Sequence, residues 1–189
     1  MGPAAIIGGL WILFALSWFA AAWWSSQPSK RLDLRTELPS RIMLVVGGLI
    51  FYIPARGYDG PLRIWHPTPA LFWACIALML LGFAFAWWAR ITMGALWSGR
   101  ITRKPDHPIL DTGPFGIVRH PIYTGILLAV IGTLLVKGTV LGLIGALVIA
   151  LGLWMKARLE ERWLGAELGE APYASYRKRV PMLVPFGPR

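Results

Sequence analysis

The chain is poor in the residues that build soluble domains. Charged side chains make up 15% of its 189 residues, against about 25% in a typical soluble protein. A chain this small could not cover so much apolar surface in water, whereas the core of a bilayer needs no covering. A single cysteine, Cys75, excludes an internal disulfide framework and any Cys-x-x-Cys motif. Three histidines and that one cysteine leave too few ligands for an ordinary zinc site, so no metal is expected. No Gly-x-Gly-x-x-Gly pattern is present, which excludes the nucleotide fingerprint of a soluble doubly wound fold. Acidic residues are also scarce: 9 Asp+Glu stand against 19 Lys+Arg, a net charge of +10. The basic residues sit between apolar runs and form no basic-aromatic stripe, so nucleic acid is not the expected partner.

What the chain has in abundance is apolar sequence, 56% of it, with 11 Trp and a mean hydropathy of +0.57. Five apolar segments predict an all-α, polytopic membrane protein forming a single domain over residues 1–189, with the spans of 1–90 followed by a polar loop, a helical hairpin and a tail over 91–189. Pro3 to Trp24 is uncharged for 22 residues and ends in a Trp pair suited to a membrane interface. No basic region precedes it, so it reads as a first span rather than a signal peptide. Ile42 to Ala55 is bracketed by Arg41 and Arg56. Its 14 residues would rise about 21 Å as a helix, a thin span. Thr68 to Ala89 is the third. Pro121 to Val136 and Thr139 to Met155 are parted only by Lys137-Gly138, which predicts an antiparallel hairpin. Gly138, Gly142 and Gly145 supply small residues for close helix packing.

With five spans, 16 of the 19 basic residues fall on one side, leaving Arg56, Arg63 and Lys137 on the other. The positive-inside bias places the C-terminus in the cytoplasm, most simply at an inner membrane. Both long polar stretches, Ile91 to His120 and Lys156 to Arg189, then meet at the cytoplasmic ends of the hairpin. The first is too rich in Pro and Gly to be one helix before Pro121, where Pro suits a first turn. Such irregular backbone beside a membrane is tolerated where it lines a cavity. His107 and His120 each precede a proline. Either could be a ligand contact or an interfacial side chain bonded to backbone. Glu160 and Glu161 could be a solvated turn, with Lys156 and Glu160 paired at i,i+4, or carboxylates that bind a ligand. The run Arg177-Lys178-Arg179 reads as a tail resting on anionic membrane lipid.

The string GPFGIVRHPIYTG, Gly113 to Gly125, resembles the signature of the isoprenylcysteine carboxyl methyltransferase family, to which the phospholipid N-methyltransferases are related. RLEERWL, followed by GEAPYASYRKRVPMLVP up to Pro185, resembles that family's C-terminus. The resemblance covers about the C-terminal half and implies S-adenosylmethionine as methyl donor. By motif position, donor contacts would fall at His107, Pro108, Ile109 and Leu110, at Phe115, at His120, Pro121, Ile122 and Tyr123, and at Glu160. Gly113, Arg119 and Glu161 are further candidates in the same stretches, and Arg100 is a looser one upstream. Phe115 stands where the family often has Tyr, which keeps an aromatic face and loses a hydroxyl. An acceptor-binding basic residue would fall at Lys156, with Arg158 its neighbour, although Lys does not replace Arg for bidentate carboxylate binding. The implied reaction is methyl transfer to a lipophilic acceptor entering from the bilayer at the cytoplasmic face, most like carboxyl O-methylation of an isoprenylcysteine. A phospholipid amine and a small thiol are alternative acceptors. An NADPH-dependent sterol-type reductase, which shares a His-Pro-x-Tyr pattern, and a non-catalytic scaffold are the readings from other classes.

Overall fold

A computed structural model describes residues 2–25, 30–52, 62–103, 109–168 and 170–187. Helices dominate: α1 (Pro3–Ala20), α2 (Leu34–Tyr52), α3 (Pro69–Met93), the short α4 (Pro114–Ile117), α5 (Pro121–Lys137), α6 (Val140–Leu168) and α7 (Glu170–Arg179). Two-residue strands, β1 (Lys30–Arg31) and β2 (Thr102–Arg103), pair antiparallel.

Among the described residues, three segments are long and apolar enough to cross a membrane: Pro3–Trp24, Pro69–Leu96 and Val140–Glu167. Helix α5 is equally apolar but shorter, at 17 residues. Proline sits in the first turn of α1, α3 and α5, where its missing N–H costs nothing. Thr68 caps α3 by accepting the Leu71 N–H.

Two elements depart from the boundaries expected. Helix α2 begins at Leu34, so Arg41 lies inside it rather than at its edge, bound to Glu37 one turn earlier at 2.8 Å. The end of that segment, residues 53–55, lies outside the described residues, as does Arg56. Helix α6 does not stop at Met155 but runs on to Leu168, 29 residues in all. No Gly or Pro interrupts it between Leu153 and Leu164. At a rise of 1.5 Å per residue it is about 43 Å long, well beyond a hydrocarbon core of about 30 Å. Its acidic pair therefore rides on a rigid helical extension, not on a turn.

The hairpin forms as expected, closed by Gly138 in the left-handed region at φ 58°. Its arms, however, pack mainly outward: α5 against α3 and α6 against α2. Glycines explain how. Gly82 and Gly125 face each other so closely that a Cβ on either would collide with the other's carbonyl oxygen. A Cβ at Gly145 would lie 2.7 Å from the Phe51 backbone nitrogen, and Gly47 faces Ile149 in the same seam. In lipid no hydrophobic force drives helices together, so such close backbone contact carries the packing. Around these crossings sit two apolar cores. Ile7, Cys75, Met79, Phe83 and Ala129 form one. Phe51, Val130, Ala146, Ile149 and Leu153 form the other.

Candidate active site

Helix α5 begins at the site and α6 ends there. His120 is the N-cap of α5, with its backbone outside the helical region at φ −123° and ψ 65°. One side of its ring faces Glu160, with Nδ1 3.4 Å from Oε2, and the other faces Glu161, with Nε2 3.2 Å from Oε1. Both ring nitrogens can donate only when the imidazole is protonated. Burial alone would push the His120 pKa down. The hydrogen bonds and charges of the two carboxylates more than offset this, and it rises above the ordinary 6.5. The Tyr123 ring stacks on His120 at 5.4 Å and nearly parallel, and its hydroxyl donates to Glu160 at 2.5 Å.

Glu161 has a second partner. The Arg119 Nε donates to it at 2.6 Å, and both side chains are almost fully buried. Arg119 also donates to the carbonyls of Arg177 and Val180. The backbone N–H groups of Arg119 and His120 donate to the carbonyls of Pro181 and Met182, and Thr124 Oγ1 donates to Leu183 at 2.6 Å. The tail is thereby laced across the N-terminus of α5. Tyr176 donates its hydroxyl to the Phe115 carbonyl at 2.7 Å, which ties α7 to the loop before α5. Burial pushes the pKa of both Tyr173 and Tyr176 up, so they stay neutral hydrogen-bonding groups. The cluster Tyr173, Tyr176, Val180, Ile109 and Leu164 holds this end together.

These groups wall one end of a cavity of about 560 Å³. That end is polar, with Arg100, Arg119, His120, Tyr123, Lys156 and Glu160 in its lining. The cavity continues along α1, past Trp18, Ala15, Phe14 and Trp11, with Met93, Leu96 and Trp97 opposite. That end is apolar. Lys156 reaches over the Tyr123 ring, its Nζ 5.4 Å from the centroid, beside Glu160.

Of the residues expected from sequence, the structure brings Arg100, Ile109, Leu110 and Phe115 to the cavity wall. Arg119, His120, Pro121, Ile122, Tyr123, Lys156 and Glu160 join them there. Three candidates stand off it. Arg158 is exposed and lies over the Trp154 ring at 5.6 Å, because two residues along a helix turn it about 200° from Lys156. Gly113 caps α4 at φ 58°, a backbone role in the turn. Glu161 sits behind His120, bonded to Arg119. The Arg119 guanidinium is likewise spent on Glu161 and tail carbonyls. His107 and Pro108 lie outside the described residues. Among the described residues, no three His, Cys, Asp or Glu side chains cluster as a metal site would require.

Sequence reasoning missed Glu37. It is buried on α2 and joins Arg41 at 2.8 Å to Arg100 at 3.5 Å. Arg100 also donates to the Leu32 carbonyl at 2.8 Å, so the segment before α2 fixes the cationic wall of the cavity. One signal was available: an acid four residues before an arginine, the spacing of a helical ion pair. Sequence reasoning also missed Trp11 and Trp18, which fall a heptad apart, on one helix face, and line the cavity.

The profile of the isoprenylcysteine carboxyl methyltransferase family matches residues 75–166, a stretch that holds most of α3, the loop, α5 and most of α6. Residues 75–166 belong to that family. Three curated relatives align with part of the chain. A protein-S-isoprenylcysteine O-methyltransferase of Schizosaccharomyces pombe is 32% identical over 46% of this chain and 36% of its own length. Protein-S-isoprenylcysteine O-methyltransferase B of Arabidopsis thaliana is 30% identical over 59% and 57%. The cobalt-zinc-cadmium resistance protein CzcN of Cupriavidus metallidurans is 29% identical over 58% and 49%. The chain thus matches between about a third and just over half of these relatives' lengths. The family profile begins at Cys75, upstream of the expected signature, and stops before Tyr173 and the tail.

Proposed function

We propose that this chain is an integral membrane methyltransferase that uses S-adenosylmethionine to methylate a lipophilic acceptor, most like the carboxyl O-methylation of an isoprenylcysteine. The observation that carries this reading is one cavity with two chemistries. It is cationic, acidic and aromatic at the end where α5 begins, and apolar along α1. A lipid-linked carboxylate needs both ends. The names of the S. pombe and Arabidopsis relatives point the same way.

The polar lining suits the proposed donor. Glu160 and the aromatic faces of Tyr123 and Phe115 suit cationic and ring portions, and Arg100 suits a carboxylate. When bound, S-adenosylmethionine supplies an electrophilic methyl group for an in-line displacement. The protein's part is positioning and exclusion of water. An ionised carboxylate is already nucleophilic, so no general base is required. Lys156, on the wall beside Glu160, is placed to orient it as a point charge. His120, Glu161 and Arg119 hold the Glu160 carboxylate and the tail in place, acting through one another.

The topology belongs to the same proposal. Helices α2 and α5 complete five spans with the three longer segments, and the charge bias puts the site at the cytoplasmic face of an inner membrane. The test is a transfer assay with labelled donor against prenylcysteines, phosphatidylethanolamine and small thiols. Labelled prenylcysteine ester is the expected product. Label in phosphatidylethanolamine or thiol instead would replace the acceptor. Heat stabilisation by NADPH, with none by S-adenosylhomocysteine, would overturn the donor.

A further inference from the structure

A second cavity, of about 370 Å³, lies toward the other end of the bundle, lined among others by Ala4, Gly8, Phe51, Tyr52, Thr133 and Lys137, whose ammonium is held by the Phe51 carbonyl. The Trp11 side chain links it to the main cavity. Trp11 lines the main cavity, and its indole N–H donates at 3.0 Å to Thr133 Oγ1, which lines the second. Its ring also meets Tyr52, another wall of the second cavity, edge-on at 6.4 Å, and Phe83 edge-on at 5.0 Å.

The sequence of α1 makes the partition abrupt. Ala4, Gly8, Trp11, Ala15 and Trp18 are spaced by four, three, four and three residues, which puts them on one face. Below Trp11 that face is small: a Cβ on Gly8 would meet no heavy atom within 4 Å. Above it, Ala15 leaves room for the main cavity. From Trp11 to Ala4 is seven residues, about 10 Å of helix. The indole is held by a hydrogen bond to Thr133 and by ring contacts with Phe14, Tyr52 and Phe83, so it closes the cavity as a fixed wall.

We propose that Trp11 is the chain-length stop of the acceptor cavity, setting how long a hydrocarbon tail the protein accepts, with the second cavity as the space that a longer tail would need. This rests on the lipophilic-acceptor reading above. Hydrophobic pockets discriminate by roughly ten-fold or more per group that fails to fit, so the stop is measurable.

The experiment uses the full chain in lipid nanodiscs, with S-prenylated N-acetylcysteines carrying ten-, fifteen- and twenty-carbon chains. Affinity is read from thermal stabilisation, which needs no turnover. In Trp11→Ala the affinity ratio of the longest to the shortest probe rises by about ten-fold. In Ala15→Trp, which shortens the same cavity from above, that ratio falls. An unchanged ratio in a folded Trp11→Ala protein overturns the proposal. Should that variant fail to fold, unchanged ratios in both Ala15→Trp and Trp11→Phe overturn it. Methyl transfer on the same samples separates the two readings. Shifted binding ratios without transfer by the wild type keep the stop and remove the proposed activity. Transfer with unshifted ratios does the reverse.

Discussion

Deleting the Glu161 carboxylate tests whether the site is held by a buried ion pair. Its side chain is 3% exposed and that of Arg119 4%, at 2.6 Å. Breaking such a pair from one side costs about 3–5 kcal/mol, because the surviving charge stays buried. Here Arg119 keeps two carbonyl acceptors, those of Arg177 and Val180. The loss expected for Glu161→Ala is therefore at the lower end, about 3 kcal/mol. The Arg177 contact with Glu161 is longer, 3.6 Å, and its side chain is 50% exposed. Arg177→Ala should cost no more than about 1 kcal/mol. Unfolding by sodium dodecyl sulfate in mixed micelles, followed by far-ultraviolet circular dichroism, measures both. The double variant Arg119→Leu with Glu161→Leu should recover part of the loss, since removing both charges leaves none stranded. A Glu161→Ala protein within about 0.5 kcal/mol of wild type, or a double variant worse than the sum of the singles, would refute the reasoning.

His120 gives a pH dependence with a definite sign. Its folded pKa is raised above 6.5, so its contribution to stability is full below pH 6.5 and is lost as pH rises through the folded value. The detergent-unfolding midpoint should fall across that window in wild type and flatten in Glu161→Gln; a midpoint that rises with pH there would contradict the clamp. Gly125→Ala places a methyl group against the Gly82 carbonyl and should destabilise by about 1–3 kcal/mol, read in the same unfolding assay. Glu160→Ala should abolish binding of S-adenosylhomocysteine by calorimetry. Lys156→Met should instead raise the acceptor KM with little change in donor affinity, and a change confined to the donor would remove Lys156 from acceptor binding.

The membrane character and most of the helices were legible because each rests on local evidence: apolar runs, a proline at the start of α1, α3 and α5, a glycine at the hairpin turn. So was much of the polar wall, since Phe115, His120, Tyr123 and Glu160 come from two short stretches that the hairpin brings together. What was not legible depends on direction and distance. Whether Met155 ends a helix cannot be read from a change in polarity, because the run from Lys156 to Leu164 is itself a good helix former. Lys156 and Arg158 look interchangeable in a string, and only helical rotation separates them. The use of Gly145 and Gly152 against α2, and the reach of Glu37 to Arg100, are long-range pairings with no local trace.

The unbroken course of α6 makes the site and the bilayer parts of one lever. Glu160 stands 20 residues beyond Val140, about 30 Å along a stiff rod. A tilt of about 5°, well within the range that transmembrane helices adopt to match bilayer thickness, would sweep that carboxylate by roughly 2–3 Å. That displacement is comparable to the distances from this carboxylate to His120, 3.4 Å, and to the Tyr123 hydroxyl, 2.5 Å. With α6 read as a membrane span, the thickness of the surrounding lipid is expected to bear on the geometry of the polar pocket through this one continuous helix.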